Sequence, residues 1–208
     1  MRIFLDTVDV CEVAKQQTTG LIEGVTTSYA NIIKASRKPR DVYHELITRG
    51  IPHVSAEIIG DAPFIVKEAH HLINEFENKL TIKVPCTREG LMATRELKKE
   101  GLDVNVTLVF SAAQSILASK TGADYVSVPV GMIDSNSIAG LEVVRSVVEL
   151  CRRSDTEVIA DCIHDVYKVT RAFYNGADIV SMPPCIFEQM YEHVLTREAL
   201  EMVQDVTS

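Results

Sequence analysis

Residues 80–109 read LTIKVPCTREGLMATRELKKEGLDVNVTLV. The segment opens on a short apolar run, Leu80–Pro85, and closes on another, Val104–Val109. Between them lies a polar-faced helical stretch that Gly101 ends. Strand, helix and strand in that order imply parallel strands joined by a crossover helix. The same rhythm runs along the whole chain. The strand candidates are Arg2–Leu5, Gly24–Thr27, His53–Ile58, Leu80–Pro85, Val104–Val109, Asp124–Val128, Glu157–Asp161 and Asp178–Met182. The intervening segments carry apolar residues three and four apart, as in Phe64, Val66, Ala69, Leu72 and Ile73, or Leu141, Val144, Val147, Val148 and Cys151. Asp9 followed by Glu12 reads as a capping box opening the first helix, and Gly20 as its stop. Eight such units in 208 residues predict a single-domain α/β fold, a (β/α)8 TIM barrel over residues 1–208. An open doubly wound sheet would carry a glycine-rich turn after its first strand, and LDTVD at 5–9 is no such turn. Residues 196–206 read as an extra C-terminal helix that packs on a neighbouring subunit.

Composition narrows the partners. Lys and Arg number 21 against 29 Asp and Glu, for a net charge of −8, and no basic run occurs. A nucleic acid or an anionic membrane wants a basic face, so neither is expected. The five cysteines (11, 86, 151, 162 and 185) are odd in number and widely spaced, without a CxxC pair. That argues against a disulfide framework or a structural zinc, and a reducing cytoplasm fits best. The opening MRIFLDTVDV has an acid at position 6 and no long apolar core, unlike a signal peptide. No apolar run approaches the roughly 20 residues of a spanning helix.

In a (β/α)8 barrel, chemistry sits at the C-terminal ends of the strands. The polar residues there are Asp6, Thr26, Thr27, Glu57, Lys83, Asn105, Thr107, Ser127 and Asp161, where packing alone would favour Val or Ile. Side chains alternate along a strand, so Lys83 shares a face with Thr81, Glu57 with Ser55, and Asp6 with Phe4. One arrangement turns Asp6, Glu57 and Lys83 into the barrel mouth together. The flanks Leu80, Ile82, Val84 and Pro85 imply a buried Lys83, and burial is expected to lower its pKa towards ~7–8. A neutral amine is the nucleophile that attacks a ketone carbonyl.

FLDT near the start, GVTT, VSAE, IKVPCTREGL, NVTLVFSAAQ, GADYVS, GADIVSMP and a closing HVLT resemble the small transaldolase and fructose-6-phosphate aldolase family. The similarity runs in order from Met1 to Asp205. The resemblance implies a class I mechanism with no metal and no cofactor. Lys83 would form a Schiff base with a ketose donor. Asp6 would move the protons of donor hydroxyls, and Glu57 with Thr107 would hold a relay water. Thr26, Asn105 and Ser127 would bind donor hydroxyls or position Lys83. The iminium on Lys83 is an electron sink, so the C3–C4 bond breaks as Asp6 takes the C4 hydroxyl proton. A three-carbon enamine stays on Lys83. Its attack on another aldehyde is transaldolase chemistry, and its protonation and hydrolysis are aldolase chemistry. The resemblance also implies a homo-oligomer, a pentamer or a decamer, acting on small sugars or aldehydes.

The departures from the family pattern cluster. TTNP reads TTSY, placing Ser28, a substrate-binding candidate, and Tyr29. An aromatic residue and an arginine after the sixth strand become Pro129 and Met132. A serine and a basic residue after the seventh become Cys162 and His164. That arginine, serine and basic residue form the family's phosphate grip. Their loss is expected to weaken phosphate binding by about 1.5–3 kcal/mol, roughly ten- to a hundredfold. Asp161, Cys162, His164 and Met132 would then line an end suited to an unphosphorylated or otherwise atypical aldehyde. Arg37, Lys38 or Arg40 would be the substitute grip if phosphate is still bound. Cys162 reads as a packing residue and Asp161–His164 as a local pair. A barrel that has lost catalysis and only binds is the remaining reading, against which the intact Asp6, Glu57, Lys83 and Thr107 argue.

Overall fold

The computed structural model of the chain describes residues 1–207, with side chains through Gln204. Eight parallel strands follow one another in chain order and close into a barrel, β8 pairing back onto β1. They are β1 (Arg2–Asp6), β2 (Gly24–Thr26), β3 (His53–Glu57), β4 (Thr81–Pro85), β5 (Val104–Thr107), β6 (Tyr125–Pro129), β7 (Glu157–Asp161) and β8 (Ile179–Met182). The outer ring begins with α1 (Val10–Gln17), α2 (Tyr29–Lys34), α3 (Pro39–Thr48), α4 (Ala62–Glu75) and α5 (Arg88–Lys99). It continues with α6 (Ala112–Lys120), α7 (Val130–Asp134), α8 (Gly140–Cys151), α9 (Val166–Tyr174) and α10 (Pro184–Gln189), and α11 (Val194–Thr207) follows. Each strand lies within a predicted one or overlaps it to within a residue. The short helices α2, α7 and α10 fall where the sequence showed no long periodic stretch.

Alternation along the strands makes two cores. Outward-facing Leu5, Val25, Val54, Ile82, Val106, Val128 and Val180 pack under the helices in one continuous apolar cluster. Burying a large aliphatic side chain contributes about 1.5–3 kcal/mol, so this layer carries most of the stability. The inward faces behave differently. At the N-terminal end Phe4, Ile159 and Ile179 form a separate fully buried cluster capped by Tyr125. His53 stacks on Phe4 at 4.6 Å between centroids and meets Tyr125 edge-on at 5.1 Å. An Arg2–Glu157 ion pair lies over them. A Cβ on Gly24 would stand 2.6 Å from the Phe4 ring, so the smallest residue is required there. Above this plug the inward residues turn polar, and the C-terminal mouth holds the ionisable groups.

Two local expectations change. Asp9 does cap α1, accepting from the N–H groups of Cys11 and Glu12, but its own N–H donates to Thr7 Oγ1, so the reciprocal half of the capping box is absent. In α4 the buried face is Ala62, Ile65, Ala69 and Leu72, whereas Phe64 is exposed. The apolar residue at 64 advertised a core position that its neighbour Ile65 takes.

Candidate active site

Lys83 stands near the end of β4, in register with Glu57 on β3 and Asn105 on β5. It is only 4% exposed. Its Nζ donates to Asp161 Oδ2 at 3.4 Å, and Asp161 comes from β7 across the mouth. Asp161 is itself anchored, because its Oδ1 accepts the N–H of Cys162 at 2.9 Å. Cys162 adopts the left-handed backbone region (φ 55°), which costs a non-glycine residue about 1–2 kcal/mol. The expected Asp161–His164 pair does not form: His164 is exposed, while Asp161 is buried and committed to Lys83 and the Cys162 amide. The burial that removes Asp161 from solvent also removes it from a surface histidine.

Charge governs this cluster. Burial pushes the Asp6 carboxyl up, the negative charges of Asp161 and Glu57 add to that, and Lys83 opposes them; the result is about 7. Burial pulls the Lys83 amine down, but Asp161, Glu57 and Asp6 together outweigh it and hold the group above its ordinary value. The expected lowering of Lys83 towards 7–8 is therefore reversed. Local apolar flanks foretold the desolvation, and the three carboxylates from three other strands decide the sign. Burial also pushes the Cys162 thiol up to about 12, with Asp161 and Asp6 contributing. Oxygens of Asp6 and Asp161 and the Cys162 sulfur lie within 4.8 Å of one another, a spacing that fits a cation. A thiol held neutral is a poor ligand, however, and the Lys83 ammonium already serves these carboxylates.

The remaining predicted residues line the same well. Thr26 Oγ1 and Ser181 Oγ share a buried hydrogen bond of 2.6 Å. Ser127 Oγ donates to Asn105 Oδ1 at 2.9 Å, which leaves the buried Asn105 Nδ2 without a partner. A buried amide N–H left unpaired is costly, so a ligand oxygen above Lys83 would be welcomed there. Thr107 is buried at the end of β5. Glu57 Oε2 accepts the N–H of Tyr29 at 2.8 Å, and Ser28 caps α2 by accepting from Asn31 N at 3.1 Å. Glu57, Tyr29 and Tyr43 open onto a cavity of about 510 Å³ that Lys38 and Arg40 also line. Burial pushes Tyr43 up to about 12.

Sequence reasoning did not single out Ser181 or Tyr43. Ser181 was within reach: in IVSM the alternation that turns Ile179 inward turns Ser181 inward two residues later. Tyr43 gave no such signal, because it arrives from α3 rather than from a strand end.

At the altered end, Met132 lies on α7 and is 46% exposed. α7 is tied to the loop after β7, since Gly131 N donates to Cys162 O at 3.1 Å. The His164 ring covers Gly131 so closely that a Cβ there would stand 2.8 Å from its Cδ2. Gly131, the residue before Met132, thus meets both Cys162 and His164. Two of the three substitute cations are engaged with carboxylates, Arg37 with Glu45 and Arg40 with Glu68 and Glu75, whereas Lys38 lines the cavity beside Glu57.

A closed (β/α)8 barrel with a buried lysine and three carboxylates gathered at the C-terminal strand ends is the frame of a barrel enzyme. Comparison with known proteins specifies it further. Residues 3–208 match the family described as transaldolase/fructose-6-phosphate aldolase. A probable transaldolase of Caldicellulosiruptor saccharolyticus is 39% identical over 205 residues, covering 97% of this chain and 94% of the relative. A probable transaldolase of Paracoccus denitrificans is 37% identical over 204 residues, with the same coverage. One of Rhodospirillum centenum is 39% identical over 204 residues, covering 96% of this chain and 88% of the relative. The chain belongs to the transaldolase/fructose-6-phosphate aldolase family.

Proposed function

We propose that the protein is a transaldolase-like class I enzyme that makes or breaks a C–C bond of a ketose through a Schiff base on Lys83, moving a dihydroxyacetone unit between aldehydes. The observation that carries this reading is a lysine 4% exposed, hydrogen-bonded to one carboxylate and facing two more. A lysine buried in a barrel mouth is uncommon without a function, and an amine held there suits attack on a carbonyl to form an imine. Asp6, poised near neutrality at about 7, suits the proton transfer of C–C cleavage. Glu57 and Thr107 hold the relay water, and Thr26, Asn105 and Ser127 receive the donor hydroxyls, with the unpaired Asn105 Nδ2 as one waiting donor.

The acceptor is an aldehyde without an ordinary phosphate tail. Met132 offers no hydrogen bond, Cys162 is a neutral thiol, and the neighbouring Asp161 carboxylate is committed to Lys83. An aldolase using free dihydroxyacetone or hydroxyacetone is the second reading, since an acceptor end without the phosphate grip serves it as well. The apolar side chains of α11, with Leu195 64%, Leu200 57% and Met202 68% exposed, support a homo-oligomer. No helix among the described residues is long and apolar enough to cross a membrane. The five cysteines suit a reducing, cytoplasmic setting.

The test is borohydride trapping with fructose, fructose 6-phosphate and dihydroxyacetone, read by intact mass. The wild type gains the mass of a reduced adduct and Lys83→Met does not. A wild type that gains nothing, or a Lys83→Met variant that gains as much, defeats the Schiff-base reading. Faster trapping by the phosphorylated sugar defeats the account of the acceptor.

A further inference from the structure

Lys83 makes its hydrogen bond to the carboxylate of β7, at 3.4 Å from Asp161 Oδ2, with both side chains less than a tenth exposed (5% and 7%). Among the described residues, no hydrogen bond joins Lys83 to Asp6 or to Glu57. Glu57 is instead turned towards the amide of Tyr29. Asp161 is braced from behind, its Oδ1 fixed by the Cys162 N–H and its Oδ2 left for the amine. An ammonium held among three carboxylates has no lone pair to give, so a base within reach must take its proton before the amine attacks.

We infer that Asp161 is the acid–base catalyst of the imine-forming step. The inference rests on the Schiff-base reading of Lys83. It moves the imine proton transfers from a relay on Glu57 and Thr107 to a residue that touches the reacting nitrogen. The Lys83 ammonium passes one proton to the Asp161 carboxylate. The freed lone pair forms the N–C bond to the ketone carbon, and the carbonyl π electrons move to oxygen. A second proton shifts from nitrogen to that oxygen, giving a carbinolamine. Asp161 then returns its proton to the hydroxyl, the C–O bond breaks, and water leaves. The nitrogen lone pair closes the C=N bond, leaving an iminium with the third proton on nitrogen and Asp161 again a carboxylate beside the new positive charge. Hydrolysis of the final imine runs the same transfers backwards.

The experiment measures two rates at Lys83 in wild type, Asp161→Asn and Glu57→Gln. Cyanoborohydride trapping with dihydroxyacetone reports imine formation. Acetylation by acetic anhydride, mapped by peptide mass across pH, reports only how much neutral amine is available. Removing the charge of Asp161 weakens the hold on the ammonium, so acetylation of Asp161→Asn begins at lower pH than in wild type. Trapping at pH 7 nevertheless slows roughly 100-fold, the range of a lost general acid–base group. A merely structural role would move both readouts in the same direction. In Asp161→Ala, added acetate restores part of the trapping rate, which keeps the inference testable if the asparagine variant folds poorly. Trapping of Asp161→Asn at the wild-type rate overturns the assignment, as does a loss larger in Glu57→Gln than in Asp161→Asn, or an Asp161→Ala variant that acetate leaves unchanged. A wild type that is not trapped at all removes the Schiff-base reading itself and this inference with it.

Discussion

Asp6 is the residue whose environment makes the clearest claim about pH. Its folded pKa of about 7 lies well above an ordinary aspartate, first because it is buried and then because Asp161 and Glu57 repel its charge. As a base it acts only when ionised, so kcat/KM for ketose cleavage should rise as pH increases through about 7. The alkaline limb belongs to the coupled cluster rather than to Asp6 alone. A pH profile flat from 5 to 8 would contradict the assignment. The same shift has a stability consequence of opposite sign. Between the unfolded and folded pKa values the native state binds more protons, so this group's contribution falls as pH rises from about 4 to 7. Asp6→Asn should therefore abolish cleavage yet stabilise the fold at pH 8 by about 1–2 kcal/mol, raising Tm by roughly 3–6 °C, and do so by less at pH 5. Calorimetry at the two pH values checks this. At this scale the positions of Asp6, Glu57 and Lys83 were legible, because strand alternation together with their place at strand ends allows an arrangement that turns all three into the mouth. The direction of the Lys83 shift was not. It depends on carboxylates brought from β1, β3 and β7, and nothing within six residues of Lys83 reports them.

Among the elements, strands read better than helices. A barrel strand is apolar outward and anchored by neighbours on both sides, so short β-branched runs such as Val104–Thr107 announce themselves. A helix shows only one face to the barrel, and one misplaced apolar residue rotates the expected stripe, as Phe64 does in α4. The short α2 carried no periodic signal, yet it has work to do. Its cap, Ser28, presents the Tyr29 N–H to Glu57. Ser28→Ala should cost about 0.5–2 kcal/mol of stability, as lost N-caps do. It should also lower kcat several-fold with little change in KM for the donor, because it loosens the hold on Glu57. Unchanged kcat in a Ser28→Ala variant with lowered Tm would separate the cap from the catalytic site.

The whole barrel depends on how its lower interior is filled. Gly24 leaves room for the Phe4 ring, and an added methyl would stand 2.6 Å from it. Gly24→Ala should destabilise the protein by about 1–3 kcal/mol, the usual cost of overpacking, or roughly 3–10 °C in Tm. Thermal unfolding of the variant measures it, and a Tm within a degree of wild type would show that Phe4 moves freely. The closure of eight strands was legible from their count and spacing, whereas the plug was not, since Phe4, His53, Tyr125, Ile159 and Ile179 come from five different strands. That plug also dictates traffic. With Phe4, Ile159 and Ile179 sealed at the base, the well is closed below Lys83, and traffic runs through the C-terminal mouth. In the proposed transfer, the first aldehyde must back out through the doorway by which the second comes in. Arrival and departure must take turns, so double-reciprocal plots at several fixed donor concentrations should be parallel. Excess acceptor should slow the enzyme by crowding the exit before the donor can enter.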